Sequence, residues 1–285
     1  MRTSVEITEA GAPWSLDDIP FASIDRDRVR RDESLFLLLA SASFVEITSD
    51  LYTENLLRFF HDNREITAWL ETGWRREELQ HGAALRRYVA AVWPEFQWER
   101  AYRGFFAEYS RLCRLEDLEA TRTLEMAARC LVETGTATLY AMVHRWSREP
   151  VLAQLTACIC RDEVRHYKHF YRYFLAYRSQ EGPGFLPVLR TLSKRAARIG
   201  EEDAHCAIKH VYEECHPGRA FRDRDYRAFR RHWVALARLY YPYSMAVKMF
   251  LKPLGLNRWV QRAAVTVLLA AHGDHRGELS DEASR

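Results

Sequence analysis

A glutamate and a histidine three residues apart occur twice in similar surroundings, as Glu78-x-x-His81 within Trp74 to Gly82 and as Glu163-x-x-His166 within Arg161 to His166. On a helix that spacing puts both side chains on one face. Each pair follows a lone glutamate in an apolar, helix-patterned segment. Glu46 stands 32 residues before Glu78, and Glu133 stands 30 before Glu163. Four carboxylates and two imidazoles from four helices form the donor set of a carboxylate-bridged pair of iron or manganese ions. Hard oxygen donors with imidazole suit those metals, and the mixed set argues against zinc. The chemistry implied is oxygen-dependent, with two Fe ions, or Mn, as cofactors and O2 as co-substrate.

The plain alternative for Glu-x-x-His is a salt bridge on a helix surface. It fits Glu46 poorly, because Ser43, Phe44, Val45 and Ile47 surround it after the apolar run Leu35 to Leu39. A buried carboxylate must be protonated, paired or metal-bound. Glu133 lies between Leu131-Val132 and the small residues Gly135 and Ala137, with the same implication. The alternative fits two further matches well. Glu202-x-x-His205 and Glu213-x-x-His216 sit in polar stretches, with no upstream glutamate in an apolar helix at hairpin spacing. Cys206, His210, Cys215 and His216 form a looser group whose spacing matches no reliable zinc signature.

These residues need helices to position them. Residues 1–30 are polar, with Gly11, Pro13 and Pro20 as breakers, and read as an extended N-terminal arm. A first helix is expected over about 32–60, then a turn at His61-Asp62-Asn63, with Asn63 as N-cap of a second helix reaching about Val92. Residues 95–115 read as a shorter helix or turns. A third helix spans about 115–147, stopping near Glu149-Pro150, and a fourth spans about 151–179, stopping at Gly182-Pro183-Gly184. Later helical stretches fall at about 185–200, 201–214, 223–250 and 257–271, and the tail 272–285 reads as disordered. At about 1.5 Å per residue, Glu46 and Glu78 lie at similar distances from the first turn, as do Glu133 and Glu163 from the second. Antiparallel hairpins therefore bring each pair level. The fold class is all-α, with a metal-centred four-helix bundle over about 32–179, extra C-terminal helices over about 185–271, and one domain spanning 31–271.

The chain has 285 residues, 48% hydrophobic, with a net charge of +3. That charge is too small to argue for nucleic acid. The N-terminus lacks the apolar core of a secretory signal. The apolar stretch Leu35 to Val45 is too short to span a bilayer. Six cysteines without a chelating or redox spacing read as reduced thiols, which points to a cytoplasmic protein.

The motif residues resemble those of the soluble acyl-ACP desaturases of the ferritin-like superfamily. Glu77-Glu78-Leu79-Gln80-His81-Gly82 is similar to their Glu-Glu-x-x-His-Gly, and Asp162-Glu163-Val164-Arg165-His166 to their Asp-Glu-x-Arg-His. Leu35 to Tyr52 follows the family's first metal helix, which puts Glu46 on a ligand glutamate and Tyr52 on a nearby tyrosine. Glu133-Thr134-Gly135-Thr136 resembles the stretch in which a threonine sits at the oxygen pocket. Pro13-Trp14-Ser15-Leu16-Asp17-Asp18 resembles an N-terminal segment tied to electron delivery. The likeness covers about residues 13–175, and it loosens after about 180.

The resemblance implies a ferritin-like fold and a di-iron enzyme that desaturates or otherwise oxidises a fatty-acyl chain. The metal ligands would be Glu46, Glu78, His81, Glu133, Glu163 and His166. Thr136 would relay a proton, Asp162 would orient a ligand histidine, and Trp14 would lie on the electron path. The expected partners are a ferredoxin-like electron donor and an acyl carrier protein, in a homodimer with no membrane span and no nucleic acid. Arg190, Lys194, Arg195 and Arg198, and Arg219, Arg222, Arg227, Arg230 and Arg231, are the cations available to steer an acidic carrier. Ser41, Ala42, Ser43 and Gly135 are small enough to leave room for an acyl chain. The alternatives are a di-iron hydroxylase or N-oxygenase of a small metabolite, and a non-enzymatic ferritin-like iron-binding protein.

Overall fold

A computed structural model describes residues 13–198 and 203–271, with side chains to 268. Every regular element among these residues is helical. In chain order the α-helices are α1 (Arg26–Val29), α2 (Glu33–Ile47), α3 (Ser49–Phe59), α4 (Arg64–Trp69), α5 (Arg75–Val92), α6 (Trp98–Tyr109), α7 (Arg122–Trp146), α8 (Pro150–Glu181), α9 (Phe185–Arg198), α10 (Asp203–Cys215), α11 (Asp223–Tyr240), α12 (Tyr243–Leu251) and α13 (Arg258–Ala271).

Four helices enclose the centre, and each runs antiparallel to its neighbours. The start of α2 meets the end of α5, where Phe36 packs on Trp93. The start of α7 meets the end of α8, where Glu181 accepts the Thr123 N–H. Glu149, which is fully buried, caps α8 by accepting from Val151 N (3.2 Å) and Leu152 N (2.6 Å), with Pro150 in the first turn. Its carboxylate also accepts the Tyr88 hydroxyl of α5 at 3.0 Å, which ties the two hairpins together. The helix ends at Gly182, whose φ of 63° suits a residue without a Cβ.

The expected helices are present with altered boundaries. The first breaks at Thr48, whose hydroxyl bonds back to the Phe44 carbonyl at 2.7 Å and so competes with the helix ladder. The second carries a π-helical turn over Leu70–Trp74 just before Glu78. The third begins at Arg122 rather than Leu115, after a 3₁₀ turn at Leu115–Asp117. The stretch 223–250 is two helices, because Pro242 cannot donate to the ladder. Residues 13–30 are less extended than their composition suggests. They form 3₁₀ turns at Leu16–Asp18 and Phe21–Ser23 and the short α1, and Trp14, Ile19, Phe21 and Val29 enter the core. Residues 1–12, 199–202 and 272–285 lie outside the described residues, and with them the tail, Glu202 and two helix ends.

The apolar stretch Leu35 to Val45 belongs to a longer helical run. Glu33–Phe59 together is 27 residues and is apolar enough, by length and composition, to cross a bilayer. In the fold 61% of its apolar window is buried. Glu46, Thr48, Ser49 and Thr53 are buried with it, as in the core helix of a packed domain. α2 packs on α5, α10 and α6.

Candidate metal centre

One close approach sets the position of the first glutamate. A Cβ on Gly82 would lie 2.4 Å from Ile47 Cγ1, 2.8 Å from Ile47 N and 3.1 Å from Glu46 Cβ. Only glycine lets α5 come this near α2, beside His81. Glu46 and Glu78 are thereby brought level, as the turn distances predict. The long, tight α7–α8 hairpin does the same for Glu133 and Glu163.

The six residues converge in two overlapping groups. Glu46, Glu78, His81 and Glu163 offer donor atoms within 4.8 Å of one another, as do Glu78, Glu133, Glu163 and His166. All six are buried. Glu78 and Glu163 belong to both groups, in the place of bridging carboxylates. His81 Nδ1 lies 3.1 Å from Glu163 Oε1 and 3.9 Å from Glu46 Oε2. His166 Nδ1 lies 3.0 Å from Glu78 Oε1 and 3.6 Å from both Glu133 Oε2 and Glu163 Oε2. These nitrogens are close to carboxylates but badly aligned with them. Neither Nδ1, nor Glu163 Oε1, has a hydrogen-bond partner.

The outer nitrogens are held by an exchange between the motifs. His81 Nε2 bonds to Asp162 Oδ2 at 3.1 Å, and His166 Nε2 to Glu77 Oε2 at 2.7 Å. Each imidazole is therefore braced by the acid that precedes the glutamate of the opposite pair. Arg165 spans the two acids, 2.9 Å from Asp162 and 2.7 Å from Glu77. Burial alone would raise both acids, but their imidazole bonds outweigh it and hold them below the ordinary carboxylate range. As ionised acceptors they take the Nε2 protons, which leaves each Nδ1 facing the carboxylates.

The electrostatics are those of crowded, buried acids, compatible with a bound cation. Burial, then repulsion from Glu78 and Glu163, pushes Glu46 well above its usual range, and burial with Glu163 raises Glu78. Burial pushes Glu133 up to about 8. Glu163 is instead held low, because the nearby imidazoles of His166 and His81 outweigh its burial. Both histidines rise well above the imidazole range, as neighbouring acids outweigh burial. Burying an unneutralised charge costs several kcal/mol. Unpartnered inward-facing nitrogens among hard oxygen donors fit a divalent metal pair.

Three further predicted residues lie beside the cluster. Thr136 donates to Glu163 Oε2 at 2.9 Å, a shorter contact than those to its own helix carbonyls at 3.3 and 3.4 Å. Trp14 is buried and donates to Asp162 Oδ2 at 2.6 Å. Its ring also lies parallel to His81, with centroids 6.2 Å apart. Asp162 is buried rather than facing solvent beside Arg161. Sequence reasoning missed Tyr140, whose hydroxyl donates to Glu46 Oε1. Its place seven residues after Glu133, on the same helix face, is the signal that could have found it.

A cavity of about 850 Å³ opens onto Glu46, Glu78, Glu133, Glu163 and Thr136. Ser41, Ala42 and Gly135 line it, as their size suggests. Ser43 does not line it, because it is turned into the core to bond Ala40 O and Trp98 Nε1. Residues of α9 to α13 close the far walls.

The looser cysteine–histidine group divides. Cys206 and His210 approach Glu108, but Glu108 already takes Lys209 at 2.7 Å and His210 at 2.8 Å, an ion-pair tie between α6 and α10. His216 instead stacks on Tyr212, with centroids 4.2 Å apart.

No protein-family model matches the chain, and no curated protein does.

Proposed function

We propose that the chain is a ferritin-like di-iron oxidase, with manganese as the alternative metal, that oxidises an apolar, fatty-acyl-like chain with dioxygen. The observation that carries this reading is the braced cluster of six buried donors opening onto a largely apolar cavity. The metals would be held by Glu46, Glu78, His81, Glu133, Glu163 and His166. A metal pair bound there supplies dioxygen activation and hydrogen removal from an unactivated carbon. In desaturation the substrate gives up two hydrogens, which, with two electrons and two protons from outside, reduce one dioxygen to two waters. In hydroxylation one oxygen atom enters the substrate and the other leaves as water.

The protein's own contributions follow from its contacts. Asp162 and Glu77 keep both imidazoles oriented. Thr136 holds a movable proton at its Oγ1, between Glu163 and the cavity. Tyr140 holds another against Glu46. The walls from α7, α11 and α12 exclude water from the reacting carbon. Trp14, Asp162 and His81 make a continuous hydrogen-bonded line outward, which suits electron delivery from a ferredoxin-like protein. The decisive experiment is anaerobic reduction of the iron-loaded protein, exposure to oxygen with candidate acyl substrates, and mass analysis. Loss of two hydrogens or gain of one oxygen is expected. An unaltered acyl chain with full iron occupancy points to iron binding without substrate oxidation.

A further inference from the structure

The cavity beside the cluster has a cationic wall that the metal site does not explain. Arg129 on α7 and Arg195 on α9 both line it, with the hydroxyl-bearing Tyr52 and Tyr109. Arg129 is almost wholly buried and lies one helical turn before Glu133, about 6 Å along the axis. It pairs with the buried Glu125 at 2.9 Å, but its Nε has no aligned hydrogen-bond acceptor. The Arg195 side chain is 21% exposed. The carboxylate oxygen beside it, Glu119 Oε1, is 4.0 Å away, beyond hydrogen-bond reach, and Lys194 shares the same oxygen at 3.8 Å. Lys194 and Arg195 thus share one oxygen of Glu119, and Arg129 pairs with Glu125. Asp203, on the same cavity, has an interaction of its own. Burial and the nearby Arg129 also lower the Arg195 pKa.

Apart from Arg198 and Arg230, the remaining wall is largely apolar. Beyond Glu133 and Thr136 it continues along α7 through Leu139 to Met142, and α11 and α12 add Trp233, Ala237 and Phe250. From Arg129 to Met142 the lined length of α7 is about 20 Å, with Glu133 nearer the cationic end.

We propose that this cavity binds a free monocarboxylic acid, with its carboxylate on Arg195 and Arg129 and its apolar chain running past Glu133 and Thr136 toward Met142. The proposal rests on the oxidase reading and narrows its substrate class. It also fixes where oxidation falls: a carboxylate held one turn from Glu133 places carbons near the headgroup, rather than the chain end, over the cluster. A phosphate on a carrier's prosthetic arm fits this wall less well. Anchored at the same arginines, it would lay the arm itself over Glu133 and leave the acyl chain beyond.

Calorimetric titration tests this in the metal-free and the iron-loaded protein, with decanoate, decanol and phosphopantetheine as probes. Decanoate should bind at least about tenfold tighter than decanol, as expected for a charge-assisted bond. Arg195→Leu should abolish that preference, Arg195→Lys should keep part of it, and Arg227→Gln, an exposed change off the cavity, should keep all of it. Equal binding of decanol and decanoate overturns the proposal, as does a preference that survives Arg195→Leu in a folded variant. Tighter binding of phosphopantetheine than of decanoate overturns it in favour of a carrier-bound substrate. Failure of the oxidase reading looks different: decanoate is still preferred, but no iron is retained or no product forms.

Discussion

The same four-residue pattern has different surroundings in two parts of this molecule. At Glu163-x-x-His166 the imidazole faces three carboxylates from α5, α7 and its own helix, and its other nitrogen is braced by Glu77. At Glu213-x-x-His216 the glutamate accepts the Phe221 N–H at 3.1 Å. His216 bonds the Tyr212 carbonyl, and its contact with an acid is a long one, to Glu33 at 3.9 Å. Glu163 and His166 lie on one face of α8, whereas Glu213 is in the last turn of α10 and His216 lies just past its end. The two pairs also differ in what the neighbouring helices present at that level. The spacing is therefore only half of a site, and a second hairpin with glutamates in register supplies the rest.

The largest expected effect separates these two regions directly. Glu163→Ala removes a carboxylate common to both donor groups and should take bound metal from about two ions per chain to nearly none. Glu213→Ala should leave metal content at the parental level. Elemental analysis of the purified variants decides it, and equal loss in both means that the two pairs do not differ as metal ligands.

Gly82→Ala tests whether register makes the difference. The new methyl has no space against Ile47, so α2 must move away from α5. A loss of about 1–3 kcal/mol in stability is expected, with reduced metal content although no ligand is altered. A variant with full metal and parental Tm shows that α2 position is not limiting.

The braces come next in size. Asp162→Asn and Glu77→Gln should keep the fold and weaken metal affinity by about 10–100-fold each, measured by competition with a chelator. Arg165 spans both acids, so the two variants should behave alike. A large effect in one alone breaks the proposed symmetry of the two halves.

The smallest effect on the metal belongs to Thr136→Val. Metal content should be unchanged, while oxygen consumption becomes partly uncoupled from product. Oxygen-electrode readings set against product yield measure this, and unchanged coupling removes the proton role.

Much of the difference between the two regions is legible in the amino-acid sequence. Glu46 and Glu133 are marked as lone carboxylates in apolar helices, Glu78 and Glu163 by a histidine three residues on, and their distances from the two turns give the register. The exchange of braces is half legible: Asp162 reads as orienting a histidine, but which one, and the matching role of Glu77, depend on meeting histidines on other helices. Tyr140 is hidden for the same reason, as its partner lies across the centre on α2. The break at Thr48 leaves no strong mark, since it involves neither Pro nor Gly, and the π turn is marked only by Gly73. The cationic wall is partly visible as the basic stretch ending at Arg198. Its inner member, Arg129, reads in sequence as one more charge on a long helix.

The central claim is that these six side chains hold two metal ions. Anomalous diffraction from crystals grown or soaked with Fe(II) tests it most directly. The account predicts two peaks inside the four-helix centre, one bonded to His81 Nδ1 with Glu46, the other to His166 Nδ1 with Glu133, and Glu78 and Glu163 lying between them. A fully loaded crystal with no peak there, or with its only strong peak at Glu108, Cys206 and His210, contradicts it.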